Sequence, residues 1–158
     1  MRIKSPPAFE SLENPSMQSQ KRSSLKRKPA ARASLGVTAL TCEHLSNPLG
    51  MDARIPRLGW HLVASHPNCL QKSYRILVAT QPDRLAAETG DLWDSGRVES
   101  NASTQVEYQG KPLPSGARAY WTVKAWDQAG VESDWAPAAW FEMGLLNPED
   151  WTSRWIAI

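Results

Sequence analysis

Two pairs of carboxylates stand close enough in sequence to share acid–base work: Asp91 with Asp94, and Glu132 with Asp134. Neighbouring carboxylates act as proton donor and acceptor once their surroundings push their pKa values apart. Both pairs fall among turn-forming residues, where Asp commonly hydrogen-bonds its own backbone. Turn capping is therefore the expectation. The other reactive types are sparser. His44, His61 and His66 lack metal-ligand spacing, and no GxSxG elbow or HExxH motif is present. The Gly90–Gly96 stretch lacks the Lys-Ser/Thr of a phosphate loop. Cys42 and Cys69 form no CxxC motif. A disulfide between them stays open, with two thiols packed as small apolar groups the expected state. Asn101-Ala102-Ser103 fits a glycosylation sequon and is read as a turn. No cofactor or metal is expected.

The remaining chemistry is aromatic. Tyr120, Trp126 and Trp93 carry flat apolar faces that could stack on sugar rings. The competing reading is that a neighbouring domain, or the excursion at 81–96, covers them. Buried aromatics dominate core and interface energetics, so packing is the expectation.

The element that positions two of these rings is Arg118–Asp127, which reads as one long strand. Trp121, Val123 and Ala125 share one face; Tyr120, Thr122, Lys124 and Trp126 share the other. Around it the sequence predicts short strands at 37–43, 57–63, 73–79, 97–99, 104–108 and 138–143. Leu58, Trp60 and Leu62 alternate with polar residues, and His61 is expected to face outward. Residues 81–89 are compatible with a short helix stopped by Gly90, and 92–96 reads as a turn. With 12 Pro, 9 Gly and 8 Trp and no long helical period, the pattern is an all-β antiparallel sandwich.

The net charge of +2 hides an asymmetry. Residues 1–36 hold eight Lys/Arg against two Asp/Glu, whereas 37–158 hold ten against fourteen. The first segment reads as a disordered basic tail. The basic run at 21–28 could touch nucleic acid, but a solvated tail is the expectation, and no nucleic-acid partner is predicted. The tail lacks the apolar run of about 7–15 residues of a secretory signal, and nothing reaches the roughly 18 apolar residues of a membrane helix. No membrane partner is expected. The compartment stays open, with the cytoplasm as default. Residues 37–144 read as the sandwich, and 145–158 as a linker plus the first strand of a further domain.

The block from Leu113-Pro114-Ser115-Gly116 through Trp121 to Asp127, then Gly130 and Ser133, resembles the late strands of fibronectin type III domains. Trp121 stands where that family usually has Tyr, and Asp127 where it usually has Asn. A resemblance over residues 39–157 is more specific. Leu40–Leu45, Asn47–Asp52, Pro56–Trp60, Gly90–Val98, Tyr120–Asp127 and Phe141–Leu146, with Trp151, Trp155 and Ile156, resemble the start of bacterial α-L-rhamnosidases.

That resemblance implies a fibronectin type III/immunoglobulin-like sandwich ahead of a β domain and a helical barrel that carries the catalytic carboxylates. Family enzymes resemble inverting glycosidases, whose acid and base stand about 6.5–9.5 Å apart. The expected function is a non-catalytic N-terminal module with a structural, interdomain role. The implied parent is a glycoside hydrolase that removes terminal α-L-rhamnose. The implied partners are its neighbouring domains and, through them, rhamnose-containing glycosides. The chain alone is expected to hydrolyse nothing. The alternative is a free-standing fibronectin III-like module that binds protein or carbohydrate.

Overall fold

The computed structural model describes residues 35–152. Seven strands run in the order β1 (Leu35–Cys42), β2 (Arg57–Ala64), β3 (Gln71–Ala79), β4 (Trp93–Asp94), β5 (Val106–Glu107), β6 (Arg118–Asp127) and β7 (Ala139–Glu142). A short helix, α1 (Pro82–Ala86), follows β3, and a 3₁₀ turn spans Pro148–Asp150. The strands form two antiparallel sheets, ordered β1-β2-β5 and β4-β3-β6-β7. Among the described residues, no helix is long and apolar enough to cross a membrane. The expectations for residues 1–34 and 153–158 lie outside the described residues.

The core lies between the sheets. β6 contributes Trp121, Val123 and Ala125, all fully buried, as its alternation predicts. β3 supplies Ile76 and Val78, β2 supplies Leu58 and Trp60, and β7 supplies Phe141. The Trp60 and Tyr74 rings meet edge to face, with centroids 5.0 Å apart. The Trp60 indole N–H donates to Gln71 Oε1 at 3.0 Å. Gln71 Nε2 in turn donates to the carbonyls of Ser100 and Ala102. This satisfied polar chain ties the 100–103 loop to the sandwich interior.

Several boundaries differ from the sequence reading. β1 begins at Leu35 and bulges between Thr38 and Thr41, with Ala39 at φ 49°. Residues 93–94, read as part of a turn, pair with Val78 and Leu77 as β4. The expected strand at 97–99 is reduced to one bridge between Tyr74 and Val98. The expected strand at 104–108 shortens to β5. Helix α1 ends at Ala86, before the Gly90 stop. His61 is exposed, as alternation predicts. Cys42 and Cys69 are both buried and form no disulfide with each other.

Candidate functional site

The outward face of the β4-β3-β6-β7 sheet collects most of the polar and aromatic groups named from sequence. Tyr120, Thr122, Lys124 and Trp126 point away from the core on β6. Opposite them, in register on β3, stand Ala79, Leu77, Arg75 and Ser73. One half of this face is apolar. Leu77, Ala79 and Leu85 of α1 form a second buried cluster, with Tyr120 and Trp135 packed against it. The helix thus covers β3 beside Tyr120, one of the two covers, with a neighbouring domain, that the sequence left open.

The other half is a ladder of alternating cations and rings. The Arg97 guanidinium lies 4.7 Å from the Trp126 centroid. Lys124 Nζ stands 5.3 Å from Trp126 and 4.9 Å from Trp135. Arg75 follows, 5.9 Å from Trp135. Carboxylates hold the cations from outside: Asp94 on Arg75, Glu132 on Lys124 and Glu99 on Arg97. Arg97 Nε also donates to Ser73 Oγ at 2.9 Å. A separate step sits on β7, with Arg118 over Trp140 at 4.3 Å and paired with Glu142.

Trp93 is on the other side of the sheet. It pairs with inward-facing Val78, packs against the main core and meets Tyr108 edge to face at 5.5 Å. Tyr120 and Trp126 share a face but stand six residues apart on one strand, about 20 Å. The three rings named from sequence are therefore not brought together. Trp126 is 9% exposed and has two cations within 5.3 Å of its centroid, which leaves little ring surface for a sugar.

Three of the four carboxylates named from sequence are occupied: Glu132 by Lys124, and Asp91 and Asp94 by partners of their own. Asp91 accepts from both the backbone N–H and the hydroxyl of Thr80. Its partial burial raises the pKa, but the Thr80 hydrogen bonds and Arg84 together pull it below the usual carboxylate value. Asp94 takes both Arg75 hydrogen bonds, and with the Gly96 N–H these hold its carboxyl low. A general acid needs the opposite shift. Two shallow depressions of about 360 and 280 Å³ flank Trp135. Each is lined by a single carboxylate, Asp134 or Glu88, so neither offers an acid–base pair. Among the described residues, no group of three or more His, Cys, Asp or Glu could hold a metal. His44 meets the Gln105 side chain, and His66 the Pro67 carbonyl.

The sequence reading missed Arg97, Arg75 and Trp135 as members of the ladder. Only Lys124, alternating with Tyr120 and Trp126 on one strand, carried a visible signal.

Residues 37–147 match the family model described as the Rha78A-like, N-terminal immunoglobulin domain. The chain belongs to this family. The Rha78A-like match takes in six of the seven strands whole and six of the eight residues of β1. Among its relatives is an α-L-rhamnosidase of Streptomyces avermitilis, 38% identical over 125 residues, which are 79% of this chain and 12% of that protein. An α-L-rhamnosidase of Formosa agariphila is 40% identical over 116 residues, covering 73% of this chain and 12% of the relative. Solved structures agree. The Streptomyces avermitilis α-L-rhamnosidase complexed with L-rhamnose superposes with a TM-score of 0.74 over 78% of this chain and 12% of its own. The α-L-rhamnosidase from Dictyoglumus thermophilum is 33% identical, with a TM-score of 0.74 over 82% of this chain and 14% of its own. The chain thus spans about an eighth of the length of the relatives it matches. The Rha78A-like immunoglobulin domain and the two-sheet topology agree with the sandwich expected from sequence.

Proposed function

We propose that this Rha78A-like domain is a non-catalytic module of a larger α-L-rhamnosidase-like glycoside hydrolase. Its work is structural: it packs against neighbouring domains while the chemistry proceeds elsewhere. The observation that carries the reading is the match of 37–147 to a domain named N-terminal in relatives about eight times its length. The site geometry supports it. Asp91 and Asp94 are held ionised by Thr80 and Arg75, the Trp126 ring lies against the protein's own cations, and Tyr120 packs against the Leu77, Ala79 and Leu85 cluster. In this reading Tyr120 and Trp126 serve packing, with no sugar on their faces, and Trp93 serves the core. Substrates reach the protein only through the parent's other domains.

Incubation of the purified chain with a chromogenic α-L-rhamnoside tests the reading. The expected release of chromophore equals that of buffer. Turnover that follows protein concentration and survives repurification overturns it. A companion experiment replaces the matched segment of the Streptomyces avermitilis relative with this chain. The exchanged protein is expected to fold and to hydrolyse the same rhamnoside.

A further inference from the structure

A turn accounts for the backbone of residues 99–103 and leaves two of their side chains unexplained. The segment lies outside helix and strand. Its backbone is pinned: Gln71 Nε2 donates to the Ser100 and Ala102 carbonyls, and Trp60 N donates to Ser103 O at 2.8 Å. Ser100 Oγ accepts from the Ala102 N–H at 3.1 Å. A short polar side chain in a turn commonly bonds its own backbone, as Asp94 does with the Gly96 N–H. Asn101 does not. It is exposed, and its amide meets no partner among the described residues. The half-buried Ser103 has an equally unpartnered hydroxyl. The fold uses neither group.

Those two groups are the ones that N-linked glycosylation reads. The amide is the acceptor, and the hydroxyl two residues on is what a transferase grips to place it. Of the five asparagines, Asn14, Asn47 and Asn147 precede proline, and Asn68 is followed by Cys69-Leu70. Asn101 alone therefore satisfies Asn-x-Ser/Thr with x other than proline. Glu99 adds a second feature. It stands two residues before Asn101, where one class of bacterial oligosaccharyltransferase requires an acidic side chain. That side chain is 59% exposed and within reach, on Arg97 at 3.0 Å.

We propose that Asn101 is an acceptor for an N-linked glycan, with Ser103 and Glu99 as the residues by which a transferase recognises it. The donor is a lipid-pyrophosphate-linked oligosaccharide. Asn101 Nδ2 attacks the anomeric carbon, and the bond from that carbon to the pyrophosphate oxygen breaks. The lipid pyrophosphate leaves with the electron pair. Nδ2 gives up one proton to a base of the transferase, and a carbon–nitrogen bond to the sugar remains. The pinned carbonyls place this event before the loop closes onto Gln71, while the segment is free to bend into a transferase. After folding, the sugar stands in water. Gln71 pairs with Asp127, so the loop lies at the far end of β6 from Arg118, roughly 30 Å along the strand. The end where Gly116 meets Gly144 stays clear of it.

Transfer of this kind takes place outside the cytoplasm, so the test carries the chain there. The full chain is expressed behind a cleavable export leader in a bacterium that holds such a transferase and its lipid-linked oligosaccharide. A control protein with a known acceptor site is exported beside it. Intact mass spectrometry is expected to show one added oligosaccharide, and peptide mapping to place it on Asn101. Asn101→Gln and Ser103→Ala lose the added mass, and Glu99→Gln loses most of it. None of the three side chains belongs to the core, so all three variants fold. The glycosylated chain is expected to melt within about 2 °C of the unmodified one, because the Gln71 bonds run to carbonyls and spare the Asn101 amide. An unmodified chain beside a glycosylated control overturns the proposal, as does a glycan on another residue or one that unfolds the sandwich. Full occupancy in Glu99→Gln overturns the part given to Glu99.

Discussion

The guanidinium of Arg97 lies over Trp126, 4.7 Å from the ring centroid, and its Nε donates to Ser73 Oγ at 2.9 Å. Arg97 comes from a loop and Trp126 from the C-terminal end of the longest strand, so the contact fastens the segment after β4 to the sheet. Arg97→Ala is expected to lower stability by about 1 kcal/mol, as an exposed cation–π contact and one hydrogen bond are lost. Trp126→Ala removes a 9%-exposed ring and is expected to cost about 3 kcal/mol. Urea denaturation of the two variants measures both. Equal stability of Arg97→Ala and wild type would show that the ladder is ornamental.

Acid is expected to loosen the same face. Arg75 holds the Asp94 carboxyl below its ordinary value of 3.8, and Thr80, with Arg84, does so for Asp91 against partial burial. Both carboxyls bind protons more readily in the unfolded chain, so their contribution is full above the unfolded pKa. It is lost as pH falls through the lower folded values, below about pH 4. Asp94→Asn should flatten the decline in melting temperature over that range and leave Arg75 without its charge partner. An unchanged acid limb in Asp94→Asn would contradict the assignment.

Much of this architecture was legible because strand alternation is a strong local signal. Leu58, Trp60 and Leu62 announced β2, and the two faces of β6 were separable from its ten residues alone. β4 was not legible: two residues, Trp93 and Asp94, cannot display a period, and their strand state is conferred by Val78 and Leu77 across the ladder. The ladder was hidden for a related reason. Arg97, Lys124 and Trp135 come from three separate segments, and only the fold stacks them. The hydrogen bonds from Arg54 to Asn147 and from Ser115 to Asp150 are equally non-local, the first reaching across 93 residues.

Gly110 sits where no side chain fits. A Cβ there would stand 2.5 Å from Tyr108 Oη, 2.6 Å from Leu92 O and 2.6 Å from Trp93 Cβ. The Tyr108 hydroxyl is itself committed to the Lys111 carbonyl at 2.8 Å, so it cannot swing aside freely. Gly110→Ala is expected to destabilise by about 2–3 kcal/mol through overpacking. It should also disturb the edge contact between Trp93 and Tyr108, visible as a change in near-ultraviolet circular dichroism. A fully wild-type melting curve would place the 108–111 turn elsewhere.

Trp60 and Gln71 give the sharpest test of how the interior is held. Both are buried, and each satisfies the other: the indole N–H donates to Oε1, while Nε2 serves the Ser100 and Ala102 carbonyls. Gln71→Leu keeps the volume and removes every partner. It strands the Trp60 N–H in the core, which alone costs about 1–3 kcal/mol. The two carbonyls belong to the 100–103 loop and can turn toward water, so they add less. Trp60→Phe removes the donor and leaves Gln71 Oε1 unpaired, while opening a small cavity. In the double variant Trp60→Phe, Gln71→Leu, the orphaned donor and its orphaned acceptor disappear together. The two losses should therefore fall short of adding by about 1 kcal/mol or more, the signature of a direct contact. Strict additivity in urea melts would mean that the pair does not interact, and that something other than Gln71 anchors the 100–103 loop.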